Sequence, residues 1–148
     1  MTLTVRRATA ADLLALEDLD PATGFDPGWL GDDEYVASIV AGDGLIEAWA
    51  VLDEQGPVGV LGYDIQHGQD VEAWAIFGRR WRRNARAITE LVRSELDTSR
   101  HKSLFIRVLD SFAAGHRWAE TLGFIPAMGD DLDGQPATAY IRPRKDIP

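Results

Sequence analysis

The chain has 148 residues, 45% of them hydrophobic and 26% charged, with a net charge of -9 and no cysteine. That length suits one domain, here residues 1–148, able to bury roughly two thirds of its unfolded surface. The missing cysteines exclude disulfides, thiol nucleophiles and zinc–thiolate sites, and the acidic balance opposes attraction to nucleic acid or an anionic membrane. No apolar run approaches the ~20 residues that span a bilayer, and the N-terminus lacks the apolar core of a signal peptide, so a cytoplasmic location is expected.

Taken in chain order, Thr4 to Ala8 reads as a short strand. Thr9-Ala10-Ala11-Asp12 has the look of a helix cap with an acidic third position, and Leu13, Leu16 and Leu19 continue the helix. Pro21 to Gly31 holds two prolines and three glycines and reads as loop. Asp32 or Asp33 can cap a second helix running to Ala41, with Tyr35, Val36, Ile39 and Val40 on its apolar side. Leu45 to Leu52 and Val58 to Ile65 flank the turn Asp53 to Pro57, a hairpin signal. A second turn, His67 to Asp70, leads into a strand over Val71 to Phe77.

From Ala85 the apolar residues Ala85, Ile88, Leu91, Val92 and Leu96 follow helical spacing. Leu104 to Val108 is a short buried strand, and Phe112, Gly115, Ala119 and Leu122 mark a last helix capped by Asp110 or Ser111. Gly123 then ends the helix, with Phe124 folding back. Ile125 to Met128 and Ala137 to Arg142 read as strands around an acidic loop, Gly129 to Gly134. The order predicts an α/β (α+β) domain. Its mixed, mainly antiparallel sheet would have about six or seven strands, flanked by about four helices, with one parallel pair around the helix from Ala85.

Five of the fifteen basic side chains (Arg79, Arg80, Arg82, Arg83 and Arg86) crowd into the junction between the strand ending at Phe77 and the helix from Ala85. A helix start exposes unpaired N–H groups and the positive end of its dipole, which favours anions. Cations concentrated there imply a small anionic ligand such as a phosphate.

Two stretches resemble the GCN5-related N-acetyltransferase (GNAT) superfamily. Ile76-Phe77-Gly78-Arg79-Arg80-Trp81-Arg82-Arg83-Asn84-Ala85-Arg86-Ala87 is similar to that family's coenzyme A signature, with Ala85 where its first glycine belongs. Trp118-Ala119-Glu120-Thr121-Leu122-Gly123-Phe124 is similar to its helix ending in Leu-Gly-Phe. The resemblance implies an acyl-CoA-dependent N-acyltransferase, passing acetyl from acetyl-CoA to a primary amine by direct attack. It implies a pyrophosphate held by the N–H groups of Arg83, Asn84, Ala85, Arg86 and Ala87, with Arg82, Arg83 or Arg86 adding charge. Pantetheine would pair with backbone near Ile76 and Phe77, and a homodimer is a candidate assembly.

For the chemistry, Glu72 is the candidate base, with Asp70 behind it, and His116 a candidate proton carrier. Trp29, in the early loop, is a candidate for lining the acceptor pocket, and the acids around it (Asp18, Asp20, Asp26, Asp32, Asp33, Glu34) would suit a cationic amine. Trp81 would stack on adenine or cover the sheet edge; Trp49 and Trp74 read as core. His67, His101 and His116 match no metal spacing, so no metal is expected. The family's usual tyrosine is replaced by Ala119. That departure supports the alternative of a non-catalytic binding or virion-structural module, similar to GNAT-like internal virion proteins of phages.

Overall fold

A computed structural model describes residues 2–16, 32–42, 44–67, 70–101 and 103–143. Trp29 and the acids at 18, 20 and 26 lie outside them. The elements are β1 (Thr4–Arg7), α1 (Ala10–Leu14), α2 (Asp33–Val40), β2 (Ile46–Asp53), β3 (Gly56–His67) and β4 (Asp70–Phe77). A 3₁₀ helix (Arg79–Asn84) follows, then α3 (Ala85–Thr98), β5 (Leu104–Leu109), α4 (Ala113–Thr121), β6 (Ile125–Leu132) and β7 (Gln135–Arg142). Seven strands form one sheet in the order β1-β2-β3-β4-β5-β7-β6. Among the described residues only β4 and β5 run parallel; every other neighbouring pair is antiparallel.

Strand alternation sends successive side chains to opposite faces. Ala48, Ala50, Val60 and Ile76 meet Leu13, Leu16, Val36 and Ile39 on the α1–α2 side. Tyr63, Val71, Leu104 and Val108 meet Leu96, Ala119, Leu122 and Phe124 on the α3–α4 side. Val51, Val58, Phe77 and Ile88 form a third cluster, into which Trp81 and Trp118 pack.

The caps follow local chemistry. Thr9 and Asp12 close a reciprocal capping box, and Asp12, only 3% exposed, also accepts both guanidinium nitrogens of Arg6 at 2.6 and 2.7 Å. Burial pushes the Asp12 carboxyl up, but the Arg6 and Thr9 hydrogen bonds outweigh it and hold it below its usual range. Asp32 caps α2 by accepting from the Glu34 and Tyr35 amides. At the end of α4, Gly123 takes φ +93 while Phe124 N–H donates to the Ala119 carbonyl and Gly123 N–H to that of Glu120. Such a pairing satisfies the last carbonyls of a helix.

Several boundaries differ from the sequence expectation: α1 ends at Leu14, short of Leu16, and β3 starts at Gly56, inside the expected turn. Arg79–Asn84 winds into a 3₁₀ helix continuous with α3 rather than a bare loop. The α4 cap position is Phe112, with no side-chain cap bond, rather than Asp110 or Ser111; the Asp110 carboxylate is engaged instead by Thr138 of β7 at 2.7 Å. The acidic run Gly129–Leu132 is strand, because only Asp133 (φ +52) and Gly134 (φ +82) turn the chain. Two left-handed residues in succession make the tight hairpin turn that an Asp-Gly pair favours.

Candidate active site

The β4–β5 ladder covers just two register positions, Val71 opposite Leu104 and Glu72 opposite Phe105. Beyond them β4 keeps only β3 as a strand partner, through Ala73 to Phe77, and β5 keeps only β7. The two parallel strands therefore part, and a cleft of about 790 Å³ opens where they do. On the α3–α4 side it is lined by Val92, Ile106, Val108, Phe112, Trp118 and Leu122. On the other side Tyr35, Asp64, Glu72, Trp74, Arg107 and Asp133 form its wall.

Glycines on β3 make room for the rings at this seam. Gly62 lies opposite Trp74 and Gly59 opposite Phe77. A Cβ at Gly62 would sit 2.0 Å from the Glu47 carbonyl oxygen and 2.4 Å from the Trp74 ring. One at Gly59 would sit 2.5 Å from the Phe77 ring. The rings lie on bare backbone, where no side chain would fit.

Phe77 anchors an aromatic group at the open end of β4. Trp81 stacks on it at 5.3 Å between centroids and 24° between planes, and Trp118 meets it edge-on at 5.7 Å and 76°. The Trp118 indole N–H donates to Thr89 Oγ1 at 2.8 Å, and that hydroxyl donates to the Ala85 carbonyl at 2.6 Å. This chain ties α4 to the first turns of α3. The indole Nε1–H of Trp81 is buried and, among the described residues, unpartnered.

The arginines divide by role. Arg80 bolts the 3₁₀ helix to the β2–β3 turn, donating to Gln55 Oε1 at 2.9 Å and the Pro57 carbonyl at 2.8 Å, with Asp53 at 3.3 Å. Arg79, Arg82, Arg83 and Arg86 are exposed around Trp81, and Arg86 pairs with Glu90 one turn along at 3.5 Å. None of the five lines the cleft itself, although Trp81 in their midst does. Asn84 is 3% exposed and donates to the Arg80 carbonyl, closing the 3₁₀ helix from within. Ala85 sits at φ -56 and ψ -42, an ordinary right-handed helical conformation, so alanine carries no strain where the signature has glycine. Ile76 and Phe77 are buried in the last two positions of β4 and line the cleft.

Glu72 faces the α1–α2 side of the cleft, beside Asp64 on β3. Arg107 of β5 reaches it across the seam, donating from Nε at 2.6 Å and from Nη2 at 3.0 Å, and also donates to the Asp131 carbonyl at 3.3 Å. Glu72 is the stronger influence on this guanidinium, its hydrogen bonds raising the Arg107 pKa against the lowering effect of burial. Asp133, at the tip of the β6–β7 hairpin, comes back to the mouth of the cleft. Burial and then the Asp133 charge raise the Tyr35 phenol.

His116 is not brought to this place. Its Nε2–H donates to the Leu109 carbonyl at 2.9 Å, which makes Nδ1 the acceptor for the Tyr140 hydroxyl at 2.5 Å. Both ring nitrogens are engaged, Nε2 by β5 and Nδ1 by β7, and His116 is absent from the cleft lining. Among the described residues no cluster of three metal-binding side chains occurs. Arg107 and Asp133 had signals in the sequence: an arginine inside an otherwise apolar strand, and an Asp-Gly pair between alternating residues. Trp118 had none beyond its place in the Leu-Gly-Phe stretch.

No family model matches the sequence, and no curated protein matches it. Solved structures do. A chimera of the Vibrio cholerae spermidine N-acetyltransferase SpeG with hSSAT superposes with a TM-score of 0.71 at 15% identity, over 95% of this chain and 94% of that one. A GNAT-family acetyltransferase from Staphylococcus aureus gives 0.67 at 12% identity, over 95% and 98%. The chain has the GNAT fold. A structure assigned as a phosphinothricin N-acetyltransferase superposes at 0.72 with 14% identity, over 98% of this chain and all of that one. The parted β4–β5 pair thus lies within a GNAT sheet, and the signature-like stretch spans the end of β4 and the start of α3. No helix among the described residues is long and apolar enough to cross a membrane.

Proposed function

We propose that residues 1–148 form one acyltransferase domain that moves an acyl group from a coenzyme A thioester, acetyl-CoA being the simplest, to a primary amine. The observation that carries this reading is the free edge of β4: five residues, Ala73 to Phe77, with a strand partner on one side only, leading through the 3₁₀ helix to α3. Unpaired backbone N–H and C=O groups at a cleft are partners for the amides of an extended ligand. The donor brings an activated acyl group.

The residues suit such a donor. Ile76 and Phe77 would flank the arm, and the amides from Arg83 through Ala87, with the Arg82, Arg83 and Arg86 side chains, would hold its phosphates. The buried, unpartnered indole N–H of Trp81 is a donor awaiting an acceptor of the same kind. On the opposite side Asp32, Asp64, Glu72 and Asp133 make an anionic wall suited to a cationic amine. Glu72 would take the amine proton, directly or through water. Arg107 engages both of its oxygens from one side, and a carboxylate has further lone pairs for a second partner. Titrating the protein with acetyl-CoA in a calorimeter tests the donor site. Heat of binding is expected, reduced when Arg82→Ala and Arg83→Ala are combined; no heat at millimolar coenzyme defeats the proposal.

A second reading, a non-catalytic binding or virion-structural module, is favoured by Ala119, which offers no acid, and by His116, whose ring is engaged elsewhere. Thiol release over a panel of amines separates the two. Release supports transfer, whereas coenzyme binding with release at background supports the module.

A further inference from the structure

The α3–α4 side of the cleft is more apolar than a two-carbon acyl group needs. On this face of the sheet the neighbours of β4 present large side chains: Leu61 and Tyr63 on β3, Ile106 and Val108 on β5. Between them β4 offers only Ala73 and Ala75, which stand in register with Tyr63 and Leu61. The result is a trough along β4. Val92 of α3, with Phe112 and Trp118 at α4, roof it, and all three line the cleft. On this side the one charged lining residue among those described is Glu95, already engaged by the Tyr63 hydroxyl at 3.2 Å. A filled core would set valine or leucine where Ala73 and Ala75 stand, because interiors close to crystal-like density.

We infer that the acyl group of the donor is longer than acetyl: an apolar, medium-length chain that lies in this trough. The inference rests on the coenzyme A reading above. An arm pairing back along the free edge from Phe77 to Ala73 brings its thioester to the parting of the strands, where Ala73 and Ala75 face one way and Glu72 the other. The acyl chain then runs under α3 while the amine approaches from the carboxylate side. Neither substituent crosses the sheet through the other.

The test is calorimetric titration of the intact chain with coenzyme A and its acetyl, butyryl, hexanoyl and octanoyl thioesters. Each buried methylene is expected to tighten binding roughly fourfold, the equivalent of about 0.8 kcal/mol, until the trough is full. Octanoyl-CoA should therefore bind at least about tenfold more tightly than acetyl-CoA. Val92→Phe, which fills the trough from α3 and lies off the β4 edge, should remove most of that gain while leaving the affinity for unacylated coenzyme within about twofold. Val92→Ala, which deepens the trough instead of filling it, should move the optimum to a longer chain, and serves if the first variant does not fold. Equal affinity for acetyl and octanoyl thioesters, or rejection of the longer ones, overturns the inference and leaves the donor site standing. Binding of none of the five defeats the donor reading and this one with it.

Discussion

The two ends of β4 obey different rules. At Val71 and Glu72 the strand is paired on both sides, and Arg107 adds a two-pronged ionic tie across the seam. From Ala73 to Phe77 it is paired on one side only, and aromatic rings rather than a neighbouring strand sit beside it. The closed end holds the two halves of the sheet together. The open end spends that stability on a cleft. Edge backbone inside a sheet is a liability unless something covers it, and the proposed donor would cover it here.

The largest effect should come from disturbing the backbone that supports the open end. Gly62→Ala places a methyl 2.0 Å from the Glu47 carbonyl oxygen and against the Trp74 ring, and should cost about 3 kcal/mol in urea unfolding. A loss below 0.5 kcal/mol would mean that the ring does not lie on bare backbone. Next, Arg107→Met strands the Glu72 carboxylate, whose side chain is 12% exposed. About 2 kcal/mol should be lost, less than for a fully buried pair because Arg107 is itself 28% exposed. If closed and open ends are separate, this variant should also loosen acetyl-CoA binding less than it lowers stability.

Away from the seam, Thr9→Ala removes one half of the capping box on α1 and should cost about 1 kcal/mol by the same measurement. Its partner Asp12 adds a pH dependence. Its folded pKa is depressed, so its contribution is present above the ordinary carboxylate range, 3.8, and is lost as pH falls through the lower folded value. In Asp12→Asn that part of the acid sensitivity should vanish. Thr89→Val breaks the tie between α4 and α3 and should cost roughly 1 kcal/mol, with Trp118 fluorescence shifting as its N–H loses its acceptor. The smallest signal is alkaline. Burial, then Glu95 acting against Ser99, pushes the Tyr63 phenol up to about 12, so its stabilisation is complete below pH 10 and fades as pH rises toward 12. Phenolate absorbance at pH 11 should show Tyr63 still protonated; a full three-tyrosine change there would contradict its burial.

Much of the fold was legible because it is written in short-range patterns. Thr9 and Asp12, Asp32, Gly123 with Phe124, and the helical spacing from Ala85 each act within a turn or two of chain, and each was found where expected. The last hairpin was misjudged because Asp130 and Asp131 read as loop by charge, whereas the Asp133–Gly134 turn lets an edge strand carry them in solvent. The arginine cluster was visible as composition but not as geometry: Arg80 serves the β2–β3 turn, some 25 residues away in sequence, and nothing local announces that. Likewise His116 looked available for proton transfer until Leu109 and Tyr140 claimed both nitrogens.

By itself the sequence determined the elements, their order and the arginine-rich junction after β4, since caps, periodicity and turn residues are local energies summed along the chain. Only the tertiary structure decided that β4 and β5 part after two positions, that Arg107 meets Glu72 there, and that Ala73 and Ala75 face an apolar roof. Those facts depend on which strands become neighbours. That choice is made by the packing of two helical layers on one sheet, not by any stretch of residues alone.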